Sequence, residues 1–113
     1  MKVNVNMKAG EKRELCPVIE AIRRVGNENK LIIIYELFQG GKGFNELQRE
    51  TGLNSKTLSK TLKELESEGI IRRAIINDRP FRVKYELTEK GMELNRVFDE
   101  IRRWATKYLD GRY

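Results

Sequence analysis

An α+β, mostly helical domain is the fold this sequence predicts, and three observations carry that prediction. Residues 55–65 follow a helical period, with Leu58, Leu62 and Leu65 on one side and Lys56, Ser59, Lys60 and Lys63 on the other. Residues 70–76 and 82–87 are β-branched or alternating, and the turn formers Asn77, Asp78, Arg79 and Pro80 separate them as in a hairpin. The chain then closes on a stripe of Leu94, Val97, Ile101, Trp104 and Tyr108, at the 3–4 spacing of a helix that packs against another helix. A short helix and tight turn precede the lysine-faced segment, and the basic hairpin follows it. An apolar stripe opposite a Lys/Ser face suits a helix that packs on a core and turns its back to phosphates and base edges.

Composition bounds the alternatives. A chain of 113 residues with net charge +6 and 35% charged residues is one domain with a modest core that self-association would help, and it favours a polyanionic partner. The longest apolar run, Leu31 to Tyr35, is far short of the ~20 residues of a membrane span. The first residues lack the apolar core of a signal peptide, and one cysteine excludes an internal disulfide, so a cytosolic protein is expected. With no histidine there is no recognisable metal-ligand set and no Ser-His or Cys-His pair, so neither a metal, a cofactor nor an enzyme is expected. The run Gly40, Gly41, Lys42, Gly43 lacks the spacing of a phosphate loop and reads as a helix end and turn. Carboxylate pairs such as Glu64 and Glu68 read as solvated.

Each element has local justification. Residues 1–13 are polar and aperiodic and read as a flexible arm before a domain over 14–113. Pro17 suits the first position of a helix, and Val18, Ile19, Ile22 and Val25 continue it on one stripe. Asn27 or Asn29 can cap a second helix over 30–38, apolar almost all round and therefore central. A third helix over 44–50 buries Phe44 and Leu47 and stops at Gly52. Asn54 caps the lysine-faced helix, which runs to 68 and ends at Gly69, so 44–68 form a helix-turn-helix. In the hairpin, 70–88, Val83, Tyr85 and Leu87 face one way and Arg82, Lys84 and Glu86 the other. Thr88 opens the last helix, 89–110, where Phe98 and Ala105 widen the stripe.

Five stretches stand in register from residue 15 or 16 onward: Cys16-Pro17-Val18, Phe44-Asn45-Glu46-Leu47, the run from Leu58 to Gly69, the run from Pro80 to Tyr85, and Leu87-Thr88-Glu89-Lys90-Gly91. Together they resemble the HxlR-type winged helix-turn-helix transcription regulators, a group related to the MarR regulators. The resemblance implies a winged helix-turn-helix with a two-stranded wing and terminal dimerisation helices. It also implies a homodimer in which Val18 and Ile22 join the Leu94, Val97, Ile101, Trp104 and Tyr108 stripe, each subunit contributing one recognition helix and one wing. The partner is then double-stranded DNA carrying a palindromic operator, with repression as the expected sense. Family members carry a Gly-Gly-Lys-Trp-Thr-like stretch before the second helix. This chain reads Gly26-Asn27-Glu28-Asn29-Lys30 there, so Asn29 stands where a tryptophan is usual.

On this reading Asn54 and Ser55 meet the groove edge, where a helix start attracts phosphate. Thr57, Ser59 and Lys60 are the base-edge readers, Lys63 reaches toward the backbone, and Lys56 belongs to the same DNA-contacting face. Lys42 and Asn45 contact phosphate from the preceding helix, Arg79 enters the minor groove, and Arg82 and Lys84 line the backbone. Taken alone, the lysine face reads as a solvated surface; the preceding helix-turn, the net charge and the wing make it an interface. Cys16 admits two readings. It is a small buried apolar residue, or a thiol activated by a helix start at Pro17 and by Lys12 and Arg13; in some regulators of this type the matching cysteine senses oxidants. The effector is not specified by the sequence. An architectural DNA binder and a protein-interaction winged helix remain as alternatives.

Overall fold

The structure is a computed structural model and describes residues 9–109 and 111. Its elements follow as α1 (Ala9–Val25), α2 (Glu28–Leu37), α3 (Phe44–Thr51), α4 (Ser55–Ser67), β1 (Ile71–Asp78), β2 (Phe81–Leu87), α5 (Glu89–Met92) and α6 (Leu94–Tyr108). The fold is a winged helix-turn-helix: α2, α3 and α4 surround one core, and the antiparallel β1–β2 hairpin projects from it. Ile33, Ile34 and Leu37 of α2, Leu47 of α3 and Leu58, Leu62 and Leu65 of α4 are fully buried, and Ile70, Ile71 and Leu87 close the base of the hairpin. Burial of each such side chain contributes about 1.5–3 kcal/mol, so these residues hold α4 in place.

The caps act where the residue types lead one to expect them. Asn27, rather than Asn29, caps α2, its Oδ1 accepting from the backbone N–H groups of Asn29 (2.9 Å) and Lys30 (3.3 Å). Asn54 caps α4 through Thr57 N–H at 2.8 Å. Gly52 ends α3 at φ 75°, a left-handed conformation that glycine adopts without a Cβ clash. The Thr88 hydroxyl donates to the Gly69 carbonyl (2.6 Å) and accepts from Gly91 N–H (3.1 Å), fastening the hairpin base to α5. A Cβ at Gly91 would lie 2.3 Å from the Ile70 carbonyl oxygen, so only glycine fits there.

Four elements differ from the expectation. First, α1 does not start at Pro17. It begins at Ala9 and runs through Pro17, so the arm expected over 1–13 is helical from residue 9, and residues 1–8 lie outside the described residues. Apart from Gly10, residues 9–16 are mostly helix formers, and their propensity outweighs the one backbone donor that proline lacks. Second, the strands extend to Asp78 and Phe81, leaving only Arg79 and Pro80 in the turn, with a register shift between Ile75 and Asn77. Third, Lys42 pairs with Tyr85 as an isolated antiparallel bridge, N–H to carbonyl at 2.9 and 2.7 Å, so the glycine-rich turn supplies a one-residue third strand. Fourth, the final helix is broken at Glu93 into α5 and α6.

The radius of gyration is 16.7 Å, against ~13 Å for a compact domain of this length. The excess fits two helices that bury little of themselves. Val18 and Ile22 of α1 and Val97, Ile101, Trp104 and Tyr108 of α6 are between 49% and 64% exposed. Leu94, expected in the same seam, instead packs against the core beside Phe98, whose ring meets Phe38 edge-on at 5.2 Å. Among the described residues no helix is long and apolar enough to cross a membrane.

Candidate nucleic-acid interface

The 3.6-residue period of α4 turns Leu58, Thr61, Leu62 and Leu65 inward, and the opposite ridge carries Lys56, Lys60 and Lys63, all exposed. Ser59 and Thr57 lie half-buried on the two flanks of that ridge. None of the three lysines makes an ion pair among the described residues. The turn that sets α4 on α3 is pinned by side chains: Gln48 Nε2 donates to Ser55 Oγ at 2.9 Å, while Asn54 is occupied in its cap. Asn54 and Ser55 therefore order the start of the helix and remain exposed at its edge.

A second group gathers where the wing meets α3. Asn45 shares a cleft of about 630 Å³ with Gly41, Gly43, Ile76, Arg82 and Lys84. The start of α3 lies in this cleft with Gly43 as a cap that supplies no side chain, so its first N–H groups have no side-chain acceptor. Arg82 is exposed; Lys84 is half-buried, its stem lying over Gly41 and its ammonium 3.6 Å from Glu86. Arg79 is exposed at the wing tip. On the wing surface Arg72 donates to Glu86 at 2.8 Å, directly across the ladder, and this hydrogen bond holds the Glu86 carboxyl below the ordinary carboxylate range.

Lys42 does not belong to this surface. Its backbone is held against β2 by the Tyr85 bridge, which aims the side chain inward, and its ammonium donates to Glu36 Oε2 (3.3 Å), Gln39 Oε1 (3.2 Å) and Glu50. The hydrogen bond from Lys42 lowers the Glu50 pKa and raises that of Lys42. A buried ammonium committed to two carboxylates is a structural tie between α2 and α3 and is withdrawn from phosphate. Nothing local to the sequence signals this: Glu36, Glu50 and Tyr85 meet Lys42 only through the fold.

The carboxylates expected to be merely solvated form a second tie. Glu68, at the end of α4, accepts from Arg24 of α1 at 2.8 Å, a hydrogen bond that holds its carboxyl low. Glu64 lies 3.7 Å from Lys30, whose Nζ also donates to the Arg24 carbonyl at 2.8 Å. Through these groups α1 is joined to the recognition helix.

Cys16 departs from both expectations. It is exposed, not a packing residue of this chain, and it lies seven positions after the start of α1.

Comparison with known proteins agrees with this geometry. The profile of the HxlR-like helix-turn-helix family matches residues 24–113. The HTH-type transcriptional regulator YvaP of Bacillus subtilis is 36% identical over 99 residues, covering 86% of this chain and 92% of YvaP. YodB, an HTH-type transcriptional regulator from the same organism, is 37% identical over 98 residues, 85% of this chain and 88% of YodB. Among solved structures, the redox regulator HypR in its oxidized form superposes with a TM-score of 0.74 at 32% identity, covering 84% of this chain and 99% of HypR.

Proposed function

The chain belongs to the HxlR-like helix-turn-helix family and is a helix-turn-helix transcription regulator of that type; from this premise we propose that it acts in the cytoplasm as a homodimeric, sequence-specific repressor on a palindromic operator. The observation that carries the reading is the exposed ridge of Lys56, Lys60 and Lys63, held in place by a fully buried leucine stripe. In this reading α4 enters the major groove, Thr57, Ser59 and Lys60 meet base edges, and Lys56 and Lys63 meet phosphate. Asn45, Arg82, Lys84 and the open start of α3 take a phosphate beside the wing, and Arg79 follows the minor groove.

Selection of bound duplexes from a random library tests this proposal against its alternatives. The expected product is an imperfect palindrome with half-sites ~10 bp apart, or a multiple of that. Unenriched recovery would identify an architectural binder, and no recovery at moderate salt a protein-interaction domain.

The thiol of Cys16 is proposed as a modulator of DNA binding. It is the one cysteine of the chain and is exposed on a helix that carries the apolar residues Val18 and Ile22. HypR is described as a redox regulator, and YodB has been crystallised after diamide treatment. Oxidation would give a sulfenic acid, a mixed disulfide, or a bridge between two subunits, the last needing Cα atoms within ~7 Å. Operator affinity of the wild type should change after diamide while that of Cys16→Ser stays constant. Equal affinities in all four samples would remove the thiol from regulation.

A further inference from the structure

A cleft separate from the one beside the wing lies on the Thr57 flank of α4. About 400 Å³ in volume, it is lined by Lys56, Thr57, Lys60, Thr61 and Glu64 of α4 and, from the other side, by Asn27 and Asn29 at the start of α2. The chemistry of this lining is polar and, at one end, cationic. Glu64 is balanced by Lys30 at 3.7 Å, whereas Lys56 and Lys60 make no ion pair among the described residues. Two ammonium groups therefore set the sign of the open end. Across from them, Asn29 is half-buried, and its carboxamide makes no hydrogen bond among the described residues. The backbone N–H groups that open α2 are not the donors here, because Asn27 Oδ1 already accepts from two of them.

We infer that this cleft seats a backbone phosphate of the bound DNA, held by Lys56 and the carboxamide of Asn29, with Lys60 beside it on the bases. The inference rests on the reading of α4 as the recognition helix and adds a contact from a different helix. The geometry favours phosphate over a base edge. A helix 10–12 Å across fills a major groove ~12 Å wide, so a side chain that approaches the duplex from a neighbouring helix meets the groove wall and not its floor. Asn29 stands on α2, across the cleft from α4, and so faces the backbone wall of the groove. A carboxamide N–H donor across the cleft from Lys56 fixes where along the strand the phosphate sits, and thereby the register of Thr57 and Lys60 on the bases.

The test compares wild type, Asn29→Asp, Asn29→Lys and Lys60→Ala by salt titration on a selected operator duplex, with thermal melting of each free protein. Asn29→Lys should steepen the slope of log K against log salt by ~0.9 per subunit, because it adds one phosphate neutralisation. Asn29→Asp should weaken binding on the order of tenfold, because a carboxylate cannot donate to the phosphate and repels it. Its melting temperature should hold or rise, since an acid in the first turn of α2 suits the helix dipole. Affinity and stability moving in opposite directions cannot come from a merely structural role. Should both Asn29 variants bind with the wild-type slope and affinity while Lys60→Ala binds weakly, the cleft takes no phosphate although α4 reads DNA. Should Lys60→Ala bind normally as well, the recognition-helix reading itself fails.

Discussion

Lys56→Glu/Lys60→Glu should remove specific DNA binding while leaving the protein folded. Both side chains are exposed on α4, opposite its buried leucines, so the packing of the core is unchanged. Each phosphate neutralised accounts for ~0.9 of the slope of log K against log salt, which near 0.15 M corresponds to roughly fivefold in affinity when extrapolated to 1 M. A dimer loses two phosphate contacts at position 56 and two base-edge contacts of about 1–3 kcal/mol each at position 60, so the neutral double variant Lys56→Ala/Lys60→Ala should bind on the order of 10²–10³-fold more weakly, with a slope shallower by ~1.8. Charge reversal adds repulsion and should carry binding below detection in a gel-shift titration. Glutamate at position 56 lies in the first turn of α4, where the helix dipole favours it, so stability and affinity should again separate. Undiminished duplex affinity of the charge-reversed protein would show that α4 is not the recognition helix.

The second large effect is expected at the proposed subunit seam. Ile101 and Trp104 are 60% and 57% exposed on the half of α6 that leaves the core, and the Trp104 ring leans on Tyr108 at 5.8 Å. Large apolar side chains left in water in a row mark an interaction surface, and Val18 and Ile22 of α1 extend the same character. Ile101→Asp/Trp104→Ala should raise the dimer dissociation constant by at least ~30-fold, since loss of an anchor at the centre of an interface removes about 2 kcal/mol or more. The substitutions are preferable to truncation near Arg96, because truncation would also remove Phe98 and its packing on Phe38. Sedimentation velocity across a concentration series reads the result. A dimer of wild-type strength would place the seam elsewhere. Palindrome binding should fall with the dimer, since half-sites are joined only through the seam.

Most of what places the residues proposed to face DNA is local and is legible in the chain alone. The leucine period of α4 determines which lysines point outward, because 3.6 residues per turn leave no other assignment once Leu58, Leu62 and Leu65 are inside. Asn54, Thr88 and Gly52 mark helix ends because an Asx or hydroxyl cap and a positive φ are satisfied within a few residues of themselves. The hairpin follows from alternation and turn formers in the same way. Tertiary structure alone decided the fate of Lys42, whose bridge partner Tyr85 and carboxylates Glu36 and Glu50 come from three other elements. It turned Glu64 and Glu68 from a solvated pair into the tie to α1, moved Leu94 from the seam to the core, and set Asn29 across a cleft from Lys56. The reason is the range of the interactions: periodicity and capping act within a turn or two of chain, whereas a buried ammonium or a shared cleft depends on which distant segments packing brings together.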